Sequence, residues 1–257
     1  MKTTFVLVMM LVAPAAAEHD HGGHDHPAEP EAAPVSASIG VVAAAYESML
    51  FEGSYQGVVG TARYTHGRFG AMASIASYRI TKNGRAIRGI GDTIVGGDAT
   101  LLARDGGALG VALALGLPTG NDVEGLGMGH YMAMPGVWAS YTTHDLTLSL
   151  AATYHRGIGD ESIHAAHGGG AWPLVEPMNY QEATMTGGLA FQLARVLRSG
   201  VRFAGAAPIG DGDARLTAAW RTVWTQGRIE TTFEIGAGLV GDPYSLRGML
   251  ETGVRFF

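Results

Sequence analysis

The stretch RIETTFEIGAGLVGDPYSLRGMLETGVRFF, Arg228 to Phe257, decides the fold. In its first half Ile229, Thr231, Phe233, Ile235, Ala237 and Leu239 alternate with Glu230, Thr232, Glu234, Gly236 and Gly238. In its second half Leu246, Leu250, Val254 and Phe256 are set against Arg247, Glu251 and Arg255. A period of two gives a strand one apolar and one polar face. Charged side chains recurring on one face cannot line a dry sandwich core without partners. They can line the wet interior of a closed barrel whose other face meets lipid. The expected fold is all-β: a 12-stranded antiparallel transmembrane β-barrel with a disordered N-terminal tail.

Working outward, strand patterns occupy 35–257. Twelve segments are expected, at 35–48, 54–65, 68–80, 92–104, 107–117, 130–142, 145–155, 181–195, 198–208, 212–225, 227–240 and 245–257. In the fifth, Leu109, Val111, Leu113 and Leu115 alternate with Ala108, Gly110, Ala112 and Ala114, small residues that would leave free space in a lumen. In the tenth, Leu216, Ala218, Trp220 and Trp224 oppose Arg215, Thr217 and Arg221. The second and third segments allow either phase. The eighth has the propensity of an amphipathic helix, but Gly187-Gly188 at its middle favours a strand.

The connections carry the strongest argument. Those after the even-numbered segments are tight: His66-Gly67, Asp105-Gly106, Thr143-His144, Val196-Leu197 and Gln226-Gly227. Those after the odd-numbered segments are mostly longer, the third running from Ile80 to Gly91, the fifth from Pro118 to Gly129 and the seventh from Arg156 to Tyr180. Short turns on one side and long loops on the other mark outer-membrane barrels, the turns being periplasmic. A soluble β-protein gives no reason for the alternation. Even strand numbering places both termini in the periplasm, and the expected location is the bacterial outer membrane.

Composition agrees. Charged residues are 16% of the chain and 39 of its 257 residues are glycine, which suits closely paired strands with a small-residue lumen. The net charge of −6 argues against a nucleic-acid partner. With no cysteine, disulfides and thiolate chemistry are excluded. Residues 1–17 read as a signal peptide, with Lys2, the apolar run from Phe5 to Val12 and the small-residue site Ala15-Ala16-Ala17. Residues 18–34 read as a disordered tail rich in histidine and proline. The barrel then spans 35–257.

Two resemblances add to this. An aromatic end to the last strand resembles the C-terminal assembly signal of bacterial outer-membrane barrels, which implies lipid and the barrel-assembly machinery as partners. Here Phe256 is in phase with the lipid face and Phe257 is not. Separately, Gly89-Ile90-Gly91-Asp92-Thr93, then Leu115-Gly116-Leu117-Pro118-Thr119-Gly120-Asn121, then Gly125-Leu126-Gly127-Met128-Gly129 resemble the motifs of the outer-membrane family known as the meta-pathway of phenol degradation. By themselves these motifs read as turn chemistry. The resemblance implies a small transporter-like barrel for small, often hydrophobic molecules.

The candidate site is the lumen. Strand phase turns Arg202, Arg215, Arg221, Arg247 and Arg255 inward with Glu182, Glu230, Glu234 and Glu251. Such a lining either selects solutes or neutralises itself across strands and fills the barrel; mixed signs suit neutralisation better. His19, His21, His24 and His26 in the tail form a tract able to bind Zn, Cu or Ni. His164 and His167, further candidate metal ligands, fall in the seventh connection at the opposite mouth, with His130 and His155. No nucleophile, base and orienter come together, so no enzyme and no resident cofactor are expected. The expected function is a monomeric porin-like channel for passive diffusion of small solutes, hydrophobic ones included, with the 118–129 and 156–180 loops as gates. The alternative is a metal-binding outer-membrane protein whose tail hands divalent cations to or from a partner transport system.

Overall fold

The computed structural model describes residues 35–47, 52–82, 84–159, 179–210, 214–241 and 244–256. Among them are thirteen strands and no helix. The first seven are β1 (Val35–Glu47), β2 (Glu52–His66), β3 (Phe69–Lys82), β4 (Arg85–Ile90), β5 (Thr93–Arg104), β6 (Gly107–Leu117) and β7 (Tyr131–Thr142). They are followed by β8 (Leu146–Ile158), β9 (Gln181–Ala194), β10 (Leu197–Pro208), β11 (Arg215–Gln226), β12 (Ile229–Val240) and β13 (Tyr244–Phe256). Each wall strand pairs antiparallel with its neighbours in the chain, and β13 returns to β1 in register from Val35↔Phe256 to Tyr46↔Tyr244. The sheet is therefore a closed 12-stranded barrel, with no open edge to leave backbone donors unpaired in lipid.

Thirteen strands make twelve staves because β4 and β5 share one position. The outer end of β3, Ser77 to Lys82, pairs with β4, and its other end, Phe69 to Ser74, pairs with β5. The strand breaks between them at Gly91-Asp92. Of residues 81–91, expected as connection, 81–82 end β3 and 85–90 form β4: Gly84, at φ 79°, turns the chain back and extends the hairpin. The eighth expected segment is a strand, β9.

The tight turns fall together at one end of the barrel, here the turn end. Asp105-Gly106, with both φ angles positive at 49° and 78°, makes the β5–β6 turn, a geometry that Asp-Gly pairs adopt readily. The outer face is apolar, with Ile39, Leu113, Leu150, Phe203, Trp220 and Leu250 exposed around it. Near the turn end Tyr64, Phe69, Tyr141, Phe191, Trp224 and Phe256 are exposed on the same face, the aromatic girdle of a barrel at a membrane interface. Leu113 lies mid-way along β6 and is 50% exposed. Replacing it with arginine is expected to cost about 2–4 kcal/mol of stability in a bilayer. Urea unfolding in phospholipid vesicles checks this, and an unchanged midpoint would place Leu113 away from lipid.

The inner face of β6 does not leave the free space its small residues suggested. Trp138 of β7 lies over Gly110, and a side chain there would run into its ring. Ala108, Ala112 and Trp138 form one buried cluster, and Ala114, Met128, Met132 and Met134 another. Small residues on one stave receive large ones from the next, so that side of the lumen is packed.

Candidate functional site: the barrel lumen

Period-two alternation along β9 to β13 sets Glu182, Arg202, Arg215, Arg221, Glu230, Glu234, Arg247, Glu251 and Arg255 opposite the exposed apolar series on the same strands. They do not form one ring. Strand tilt and side-chain reach divide them into separate groups, each with its own neighbours.

The most buried group lies toward the loop end. Arg215 donates to Glu182 Oε2, and the Asn179 side-chain amide donates to the same oxygen at 2.8 Å. The Asn179 backbone N–H adds a third donor at 3.1 Å. Oε1 faces His155 Nδ1 at 3.1 Å, and the Thr153 hydroxyl faces Nε2 at 3.1 Å. An ionised carboxylate only accepts, so Nδ1 carries the proton and, in the neutral ring, Nε2 accepts from Thr153. The Arg215 and Glu182 side chains are 0% and 1% exposed and His155 is 2%. Arg215 crosses β10 above buried Ala206, so the network joins β8, β9 and β11 to Asn179, just before β9. His155, expected at the mouth among loop histidines, is instead inside this network. His130 is also buried, with its ring 5.4 Å from that of Tyr180.

A second group lies along β10 to β13. Arg202 approaches Glu234 at 3.9 Å. Arg221 is directly across the β11–β12 ladder from Glu234, and Arg247 is across from Gly236 on β13. Nearer the turn end, Arg255 pairs with Glu230 at 2.9 Å, while Glu251 accepts the Ser38 hydroxyl at 2.5 Å. On the far wall Arg63 of β2 pairs with Asp98 of β5 at 2.6 Å. Sequence reading missed this last pair because the phase of β2 was ambiguous and Asp98 is a single acid in an otherwise uncharged run. Its signal was Arg63 in step with Thr61 and Val59.

Between the second group and the loop end the lumen wall carries an open pocket. Ala219, Gly236 and Gly238 form its floor, with Thr217, Glu234, Tyr244, Arg247 and Met249 around it. Tyr244 joins the pocket to an aromatic cluster, its ring 5.2 Å from Tyr55, which meets Tyr78 edge-on at 5.9 Å. Val42, Tyr46 and Ile80 belong to the same cluster.

The 118–130 connection packs against this cluster. Asp92, at the break between β4 and β5, accepts from Gly120 N–H at 2.9 Å through Oδ1 and from Met128 N–H at 2.8 Å through Oδ2. The Thr119 hydroxyl donates to the Gly91 carbonyl at 3.0 Å and accepts from Thr93 N–H at 2.8 Å. Leu126, 3% exposed, rests where a side chain at Gly89 would stand and packs into the tyrosine cluster. Gly120 and Gly127 approach so closely that a Cβ on either would come within 2.8 Å of the other's Cα. Gly129 turns at φ 71° beneath Asp122. The three glycine-rich motifs are thus one knot, and their glycines serve contact between motifs as well as turning. Asp92 lies outside the wall strands, and burial raises its carboxyl above the ordinary range against the opposing pull of the Met128, Gly120 and Thr119 amides.

Among the described residues no three histidine, cysteine, aspartate or glutamate side chains gather as a metal would require. His19, His21, His24, His26, His164 and His167 lie outside the described residues.

A closed antiparallel wall with an apolar exterior and a charged interior defines the outer-membrane β-barrel class. Solved structures agree on the fold. An outer membrane channel from Pseudomonas putida F1 superposes with a TM-score of 0.66 at 11% identity, over 91% of this chain and 99% of that one. The KdgM porin gives 0.55 at 11% identity, covering 86% and 99%, and the NanC porin 0.52 at 12%, covering 87% and 99%. No protein-family model and no curated protein matches the chain.

Proposed function

We propose that the chain is a channel of the bacterial outer membrane that passes small solutes by passive diffusion, acts as a monomer and performs no chemistry. The observation that carries this reading is the combination of a lipid-suited wall with a lumen that is charged and unevenly filled, with an open pocket along β11 to β13. The solved channel and porins of like fold support it. The turn end, beside which Val35 and Phe256 pair, faces the periplasm in this reading, and the 118–130 loop faces outward.

Purified barrel in a planar lipid bilayer is expected to show discrete conductance steps in potassium chloride. Proteoliposomes carrying it are expected to swell in isosmotic solutions of small sugars, and more slowly as the sugars grow. A barrel that inserts, as shown by its heat-shifted gel band, yet gives neither steps nor swelling would make it a filled, structural barrel.

A further inference from the structure

Two arginines face each other across the β3–β4 hairpin on the outside of the barrel, at the edge of its apolar belt. From Phe69 to Ile90 the chain carries Arg79, Lys82, Arg85 and Arg88 and no acid, although its net charge is −6. Arg79 and Arg88 are direct partners in the ladder, and Gln56 and Ala43 continue the same row across β2 and β1. Tyr78 and Ile80 are buried in the tyrosine cluster and Ile87 packs against it, so Arg79 and Arg88 have the outward phase. The next outward row toward the membrane is Val41, Val58, Ser77 and Ile90, and its three apolar members are exposed. The arginines stand one same-face step beyond it, about 7 Å toward the loop end, where a bilayer passes from hydrocarbon to headgroup. Like charges directly opposite one another on a sheet are destabilising. Arg79 donates to Gln56 Oε1 at 3.3 Å, a neutral acceptor, and among the described residues neither guanidinium meets a carboxylate. The one acid of β2 to β4, Glu52, lies four residues past Gln56, about 13 Å along the strand and beyond the screening length of about 8 Å at physiological salt.

We propose that Arg79 and Arg88 clasp a phosphate of an outer-leaflet lipid, a phosphorylated saccharolipid whose acyl chains lie along Val41, Val58 and Ile90. The site rests on the outward placement of the loop end given above, and not on conductance. A phosphate between the two guanidiniums turns their mutual repulsion into two attractions, and each planar fork can donate two hydrogen bonds to its oxygens. Basic side chains at headgroup depth attract anionic lipid in the same way. The apolar row beneath them accounts for a lipid as occupant, since a free anion would leave Val41, Val58 and Ile90 unused. Lys82 and Arg85, partners in the same hairpin, have the opposite phase and stand outside the clasp.

The test is native mass spectrometry of the full-length barrel, released from detergent micelles after titration with lipid A carrying both of its phosphates. The wild type is expected to retain one lipid at concentrations where the same lipid stripped of its phosphates is not held. In the double variant Arg79→Gln with Arg88→Gln, half-retention should need roughly tenfold more lipid, as both cations facing the headgroup are lost. Arg85→Gln, on the other face of the hairpin, should leave retention unchanged. Where the double variant does not give the heat-shifted band, Arg88→Gln alone carries the test, with a smaller loss in the same direction. Equal retention of lipid A with and without phosphates, or equal retention by wild type and variant, would overturn the site. So would an equal loss in Arg85→Gln, phosphatidylglycerol held better than lipid A, or displacement of lipid A by millimolar inorganic phosphate, which would make the site one for the free anion. All of these outcomes leave the channel reading intact, because retention is measured and current is not. A wild type that holds lipid A yet conducts nothing would overturn the channel and support the headgroup site.

Discussion

Glu182→Ala is expected to lower the stability of the folded barrel by about 3–5 kcal/mol, because it removes one partner of a buried ion pair and leaves the other without its counter-charge. Arg215 is 0% exposed at its side chain, and Asn179 and His155 lose an acceptor in the same step. Glu182→Gln keeps an acceptor but not the charge, and should fall between the wild type and alanine. The double variant Glu182→Leu with Arg215→Met removes both ions, and should recover much of the loss, since an apolar pair avoids the desolvation that the ions undergo. Urea unfolding in lipid vesicles, followed by tryptophan fluorescence, measures all three. If Glu182→Ala and the double variant unfold at the same midpoint, the network is not an ion pair in the folded barrel.

Asp92→Ala should release the 118–130 loop from the inner face of the barrel. Two backbone amides lose a charged acceptor, and hydrogen bonds to charged groups are worth about 1.5–3 kcal/mol each. What then holds the loop is Leu126 in the tyrosine cluster together with the Thr119 hydroxyl on Gly91 and Thr93, so Leu126→Ala, at about 2–5 kcal/mol for a buried leucine, should add to the effect. The expected result is a severalfold rise in open-channel conductance, with more frequent switching between levels. Proteinase K should cleave between Asn121 and Gly129 in the variant and spare the wild type. Asp92→Asn retains one oxygen acceptor and turns an N–H₂ toward the other amide, so it should release the loop only in part. Wild-type conductance and wild-type cleavage in Asp92→Ala would mean that the loop is held by something other than this carboxylate.

These two sites differ in how much of them can be read along the chain. Glu182 and Arg215 both declare themselves inward by strand phase, yet nothing local says that they meet. They lie 33 residues apart and on strands separated by β10, and the contact depends on Ala206 being small. His155 reads as one more histidine near a loop until β8 is seen to continue to Ile158, which brings its ring inside the wall. Asp92 and the Gly120–Gly129 run are each conspicuous in sequence, but as turn signals. Their mutual contact arises because β4 pairs with the outer half of β3 before the break at Gly91 and so provides the surface on which Leu126 rests.

By itself the sequence determined the closed twelve-stave wall and the tight turns gathered at one end of it. Those follow from local physics: side chains alternate at every residue, and a membrane tolerates no unpaired backbone, so strand pattern and turn spacing leave one closed sheet. Only the tertiary structure decided which charges became pairs and that a glycine-rich connection folds inward. Staves in a barrel are tilted and staggered, and a side chain's neighbours are therefore fixed by register and reach across two or three strands. That information is a property of the closed cylinder, and no window along the chain contains it.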